Sequence, residues 1–265
     1  MKTFYLILAA MLLLQQTQAQ MDERFYHPDK EWLNIETQNY EEIILQIHLD
    51  TLYSALIKPN DQIKATIIYF HGNGGNISKW FGNIKPLIDN GYQVCIMDYR
   101  GYGKSTGVPT HLNIKHDSQV LFDSLLHRDD IKNTPIIIYG ASIGGQVATH
   151  LAKNNNSKLT ALVLDGCALS FTDLALMSSP PEHHEIIQQY VTSPYSAKED
   201  IVYLKDIHVL FIHSEEDFIP IQEAKTLYDQ TQCSKEFWVY KGKHVEAPVK
   251  YPETFVQYIN ALLNP

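Results

Sequence analysis

Apolar residues occur along this chain in short, nearly unbroken runs set between stretches of looser spacing. Residues 65–70, 92–97, 135–138, 159–164 and 209–212 are runs of the first kind, each followed by a polar or glycine-bearing loop. A strand buried on both faces needs an apolar side chain at almost every position, so such runs predict central strands. Residues 42–48 and 51–58 alternate apolar and polar instead. That pattern predicts two antiparallel strands joined at Leu49-Asp50, and residues 236–240 read as one more strand. Between the strands, residues 76–88, 112–127, 146–153, 221–228 and 252–263 carry apolar positions at helical spacing. Strand and helix alternate almost throughout. The expectation is an α/β fold with a mainly parallel eight-stranded sheet and helices on both faces. Residues 20–40 read as an irregular leader. From 167 to 206 the pattern loosens. Two helical pieces, 171–177 and 182–190, flank Pro180-Pro181 and predict a small helical lid.

One strand-to-helix junction carries candidate chemistry. Gly140-Ala141-Ser142-Ile143-Gly144 is a G-x-S-x-G motif between the 135–138 strand and the 146–153 helix. A serine on so tight a turn needs near-absent side chains two positions before and two after it. The turn lifts its hydroxyl above the sheet edge, at a helix N-terminus that favours developing negative charge. A bland reading, a glycine-rich turn with a capping serine, stays open until other groups are found. In parallel sheets the working loops leave the carboxyl ends of the strands. Such loops here hold His71-Gly72-Asn73-Gly74-Gly75, the run His213 to Pro220 with Asp217, and Lys241-Gly242-Lys243-His244. Ser142, Asp217 and His244 follow one another as nucleophile, acid and base do in one known triad order. Glu215, Glu216 and Asp165 compete with Asp217 for the acid's place. Histidine titrates near 6.5 in water and can take a serine proton near neutral pH. The backbone N–H groups of Ile143 and Asn73 are the candidate oxyanion donors.

Composition narrows the picture at a few points. The chain has 265 residues, 45% of them hydrophobic and 19% charged, which suits one large domain. A formal charge of -9 argues against nucleic acid or an anionic membrane as partner. Lys2, the apolar run 4–14 and Thr17-Gln18-Ala19 read as an export signal over residues 1–19, leaving 20–265 as the mature domain. The apolar run is too short for a membrane span, which needs about 20 residues. The expected location is therefore periplasmic or secreted. Cys95, Cys167 and Cys233 are odd in number, so at least one thiol stays unpaired; a Cys167–Cys233 bridge remains open. No spacing is of the metal-ligand kind, and no metal or cofactor is expected. Asn76-Ile77-Ser78 and Asn155-Asn156-Ser157 fit a glycosylation pattern.

Taken together these motifs resemble the α/β-hydrolase superfamily. Within it the chain is similar to the Bem46-like and ABHD-type serine hydrolases, of the serine-aminopeptidase type of hydrolase domain. The matching segments are His71-Gly72-Asn73-Gly74, Asp98-Tyr99-Arg100-Gly101-Tyr102-Gly103, Gly140 to Gly144, His213 to Pro220, and His244. They lie within roughly residues 45–264. The resemblance implies a Ser142–His244–Asp217 triad, the acid being chosen by its spacing to Pro220. It also implies that Arg100 ties loops together. Ser214 stands where the family usually has glycine, which should alter that turn without touching Asp217. The implied reaction is hydrolysis of a carboxylic ester or thioester through an acyl-enzyme, with a small acyl substrate and water as partners. The lid residues Phe171, Leu174 and Met177 are expected to bind the acyl group. A peptidase is the alternative, with Glu215 or Glu216 holding a substrate amine. A non-catalytic binding module on the same scaffold is a third reading. His71 and His213 are expected to be structural, and His183-His184 a solvated lid pair.

Overall fold

The computed structural model describes residues 22–35 and 39–263. The expected export signal, residues 1–19, lies outside the described residues. Eight strands form one sheet: β1 (Tyr40–Ile47), β2 (Asp50–Ile57), β3 (Ala65–Phe70), β4 (Tyr92–Asp98), β5 (Ile136–Ala141), β6 (Ala161–Asp165), β7 (His208–Ser214) and β8 (Lys235–Tyr240). Their spatial order is β8-β7-β6-β5-β3-β4-β2-β1. β1 with β2 and β2 with β4 are antiparallel, and the remaining neighbours are parallel. This is the mainly parallel eight-stranded sheet that the apolar pattern predicts.

The unbroken runs have a simple cause. Successive strand residues point to opposite faces, and both faces here are covered. Ile68 and Phe70 of β3 enter the core on one side, and Ile67 and Tyr69 the core on the other. β5 divides likewise, Ile136 and Ile138 against Ile137 and Tyr139. Helices α1 (Ile77–Asp89), α2 (His111–Leu126) and α3 (Gly144–Asn155) supply the covers. α2 brings Ile114, Leu121 and Leu125 to the first face, and α3 brings Val147 and Leu151. α1 brings Ile77, Ile84 and Leu87 to the second. The lid holds α4 (Phe171–Met177), α5 (His184–Tyr190) and α6 (Ala197–Asp200). α7 (Ile221–Gln230), α8 (Ala247–Lys250) and α9 (Pro252–Ala261) complete the chain.

Several details differ from expectation. The hairpin turns at His48-Leu49, one residue early, with His48 at a φ of 57°. β7 runs two residues past Ile212 because β8 pairs with it through Tyr240↔Ser214. α6 and α8 are four residues each, too short to show a 3.6-residue period. The expected irregular leader holds for residues 29–35, which form no regular element, but residues 22–28 are ordered. They make a 3-10 turn at Glu23–Phe25, and His27–Pro28 bridge in parallel to Gly74–Gly75. All three cysteines are free, so no Cys167–Cys233 bridge exists. Asn76 and Asn155 are buried and hydrogen-bonded, so neither is presented for glycosylation. Among the described residues no helix is long and apolar enough to cross a membrane.

The sheet order places the working edge. β3 lies between β4 and β5, so the winding of the chain reverses there. Loops leaving the carboxyl ends of β3 and β5 diverge at such a point and open a crevice.

Candidate active site

β5 delivers Ser142 to that crevice. Ser142 has a φ of 55°, a left-handed conformation that non-glycine residues seldom adopt. Such a residue carries strain of order 1–3 kcal/mol unless its surroundings enforce it. Here Ser142 N–H donates to Asp165 O at 2.7 Å, and Ser142 O accepts from Gly145 N–H at 2.9 Å. Close packing explains the glycines on either side. A Cβ on Gly140 would lie 2.5 Å from Gly144 O, and one on Gly144 would lie 2.2 Å from Phe70 O. The turn therefore presses directly against the end of β3. The next peptide, Ile143, leads into α3, whose positive end faces the serine.

The β7 and β8 loops bring in an acid and a base. His244 Nδ1 lies 2.7 and 2.8 Å from the two carboxylate oxygens of Asp217. Asp217 Oδ1 also accepts from Ile219 N–H at 2.9 Å. The Phe218 ring lies 4.5 Å from the imidazole, centroid to centroid. His244 Nε2 is buried and has no partner among the described residues, so the Ser142–His244 hydrogen bond is not made in this arrangement. Catalytic hydrogen bonds are often long without substrate and tighten when it binds.

The loops are braced from behind. His213 Nε2 sits 2.8 Å from Ile219 O and so carries the proton of that bond. Among the described residues Ser214 makes no side-chain hydrogen bond to Asp217. Its hydroxyl donates to Gly242 O and accepts from Glu216 N–H, which ties the acid's loop to the base's loop. Of the competing carboxylates, Glu215 and Glu216 are exposed. Asp165 is buried, accepts from Tyr139 Oη–H at 2.8 Å, and burial pushes its carboxyl up to about 7. Asp217 is the one hydrogen-bonded to His244. His71 is structural: burial drives its pKa down to about 4, and its Nδ1 bonds Gly72 O. Arg100 holds both oxygens of Asp117 and one of Asp50, tying its loop to α2 and the first hairpin.

Asn73 and Ile143 flank Ser142 on the wall of a cavity of about 630 Å³. The hydrogen bonds of these loops leave both amide groups out. Leu174, Ile187, Val191 and Phe218 give the cavity an apolar lining, and among the described residues no Asp or Glu lines it. Arg24, His27, His183 and Tyr190 are the ionisable groups among its lining residues. Two expected substrate residues are misplaced. Phe171 is fully buried and stacks on His111 at 3.7 Å, so it is core. Met177 is not on the cavity wall, whereas Leu174 is. His183 is exposed, as expected of a solvated lid residue, and also lines the cavity mouth. Phe25 was missed, hidden in a leader without periodicity; the Phe25-Tyr26 aromatic pair was its one signal. Among the described residues no cluster of three or more His, Cys, Asp or Glu could hold a metal ion.

Residues 65–207 match the family described as alpha/beta hydrolase fold. The chain is 34% identical to the bem46 protein of Schizosaccharomyces pombe over 68% of this chain, and spans 61% of that protein. It is 29% identical to the uncharacterized protein YfhR of Escherichia coli, over 78% of this chain and 74% of that one. Among solved structures it resembles an esterase of Pyrococcus furiosus, with TM-score 0.72, 18% identity, and coverage of 89% and 98% of the two chains. A carboxyl esterase of Bacillus coagulans gives TM-score 0.65 at 16% identity, covering 86% and 100%. These last two likenesses concern the fold.

Proposed function

Because this chain belongs to the α/β-hydrolase family, we propose that it hydrolyses carboxylic esters of apolar acyl groups through a Ser142–His244–Asp217 triad. Ser142 Oγ attacks the acyl carbonyl while His244 Nε2 takes its proton. Asp217, bonded to Nδ1, keeps the proton on that nitrogen and stabilises the imidazolium. The Asn73 and Ile143 amides, with the α3 N-terminus, receive the oxyanion; one such donor is worth about 3–4 kcal/mol. His244 then protonates the departing alcohol. Water repeats the sequence on the acyl-enzyme and releases the acid. A thioester would react in the same way.

The observation that carries the ester reading is the cavity wall. It is largely apolar, and neither Glu215 nor Glu216 reaches it. An aminopeptidase needs an anionic group for the substrate's ammonium, and the lining offers an arginine instead. The esterases among the structural neighbours agree with this reading. We further propose that the protein is exported by cleavage after residue 19, to the periplasm or the medium.

The first test is labelling of the mature protein with a fluorophosphonate probe beside Ser142→Ala. Labelling lost in the variant supports the activated serine. Acyl esters of rising chain length are then compared with aminoacyl amides. Faster turnover of the amides would overturn the ester reading in favour of a peptidase. Absence of labelling in folded protein would leave a binding module.

A further inference from the structure

We infer that the N-terminal segment 22–28 is a working part of this site, with Phe25 setting acyl selectivity and Tyr102 clamping the segment onto the oxyanion loop. The inference rests on the proposed ester hydrolysis. Its structural basis is the way one short stretch reaches both the cavity and Asn73.

At one end the segment is anchored on α2. His111 N–H donates to Asp22 Oδ2 at 2.9 Å, and Tyr26 Oη lies 2.7 Å from His111 Nδ1. Between these anchors Phe25 packs edge-on against Phe171, ring centroids 5.8 Å apart, and against His111 at 5.1 Å. It is 8% exposed, and that exposure is to the cavity. Phe25 is thus a fixed wall facing the same space as Leu174 and Ile187. A rigid apolar wall rewards each methylene of an acyl chain that reaches it, by about fourfold per buried CH₂.

At the other end the segment grips the oxyanion loop. His27 and Pro28 bridge to Gly74 and Gly75. His27 N–H donates to Asn73 O at 2.8 Å and lies 2.9 Å from Tyr102 Oη. Tyr102 Oη–H donates to the same Asn73 carbonyl at 2.5 Å. Asn73 O therefore receives two donors, and its amide is one Cα away. Further along, Asn76 Nδ2 bonds Asp29 O and Glu31 O while the same side chain caps α1. Fixing a backbone donor before the reaction is how an oxyanion hole works. Tyr102 touches no reacting atom in this scheme. It is a positioning residue acting through Asn73.

The test uses Tyr102→Phe and Phe25→Ala in the mature chain, read against an ester series from acetyl to octanoyl. Tyr102→Phe should lower kcat about tenfold on every ester with KM within about twofold, a fraction of the loss expected for a whole oxyanion donor. Phe25→Ala should lower the ratio of kcat/KM on long esters to that on acetyl esters about tenfold, as the loss of two or so methylene contacts predicts. Unchanged kcat in Tyr102→Phe, or an equal loss at all chain lengths in Phe25→Ala, would overturn the inference. Backbone hydrogen exchange over residues 72–76 gives a readout free of catalysis. It should quicken in Tyr102→Phe; unaltered exchange would sink the clamp. If wild-type protein cleaves no ester at all, the ester reading falls, and the exchange result still decides the clamp.

Discussion

Gly144→Ala is the substitution whose consequence the structure defines most sharply. Gly144 opens α3, where alanine would normally gain about 1 kcal/mol in helix propensity. Against this, the added Cβ would lie 2.2 Å from Phe70 O and 2.7 Å from His71 O. Both neighbours are backbone, and they end a central strand paired on each side by β4 and β5. They cannot rotate away. Ordinary contact requires about 1 Å more separation between the start of α3 and the end of β3. Overpacking of this kind destabilises by about 1–3 kcal/mol, so the propensity gain is outweighed. For a chain of this size each 1 kcal/mol lowers Tm by roughly 2–4 °C. Activity should fall further than stability. The same wedge moves Ser142 and Ile143 away from Gly72 and Asn73, and a misplacement of about 1 Å costs on the order of 10²-fold. The control is Gly74→Ala, where an added Cβ meets no atom within 4 Å. It should stay within about 0.5 kcal/mol of wild type. The assay is kcat/KM on a butyryl ester together with thermal unfolding by circular dichroism. Wild-type turnover in Gly144→Ala, or equal damage from Gly74→Ala, would refute the reasoning.

Three further outcomes are expected. Asp217→Asn should keep the fold and reduce kcat on the order of 10⁴-fold with little change in KM, since asparagine leaves His244 in the wrong tautomer; retention of more than about a tenth of kcat would remove Asp217 from the triad. Ser214→Gly should lower kcat several-fold by freeing the Asp217 loop from Gly242 O, and the loss should be smaller than for Asp217→Asn; no change would reduce Ser214 to a turn residue. Asp165→Asn should alter how stability depends on pH. Burial raises the Asp165 carboxyl to about 7, above its unfolded value of 3.8, so the folded state binds the extra proton between those values and wild-type stability falls as pH rises through them. The asparagine variant lacks this slope and should gain in unfolding free energy relative to wild type more at pH 8 than at pH 4, by up to about 4 kcal/mol. The same offset at both pH values would contradict it.

What the sequence determined by itself was the sheet, the serine turn and the positions of three strand-end loops. A strand covered on both faces must be apolar at consecutive positions, so β3, β4, β5, β6 and β7 stood out with no knowledge of their partners. The turn at Ser142 was equally plain, because only glycine tolerates the approach of Gly144 to Phe70 O. Choices among near neighbours were left to tertiary structure. Phe171 and Leu174 sit three residues apart on one seven-residue helix. Contacts with His111, Phe25 and Tyr195 turn Phe171 into the core and leave Leu174 on the cavity. Asp165, Glu215, Glu216 and Asp217 all lie at strand ends; only depth and direction bring Asp217 to His244 and bury Asp165 against Tyr139. The leader was the largest gap. Residues 22–28 follow no period, because their partners are Gly74, Tyr102 and His111, up to 89 positions away. Local order is written in spacing along the chain, whereas the wall of a cavity is assembled from side chains whose neighbours only folding supplies.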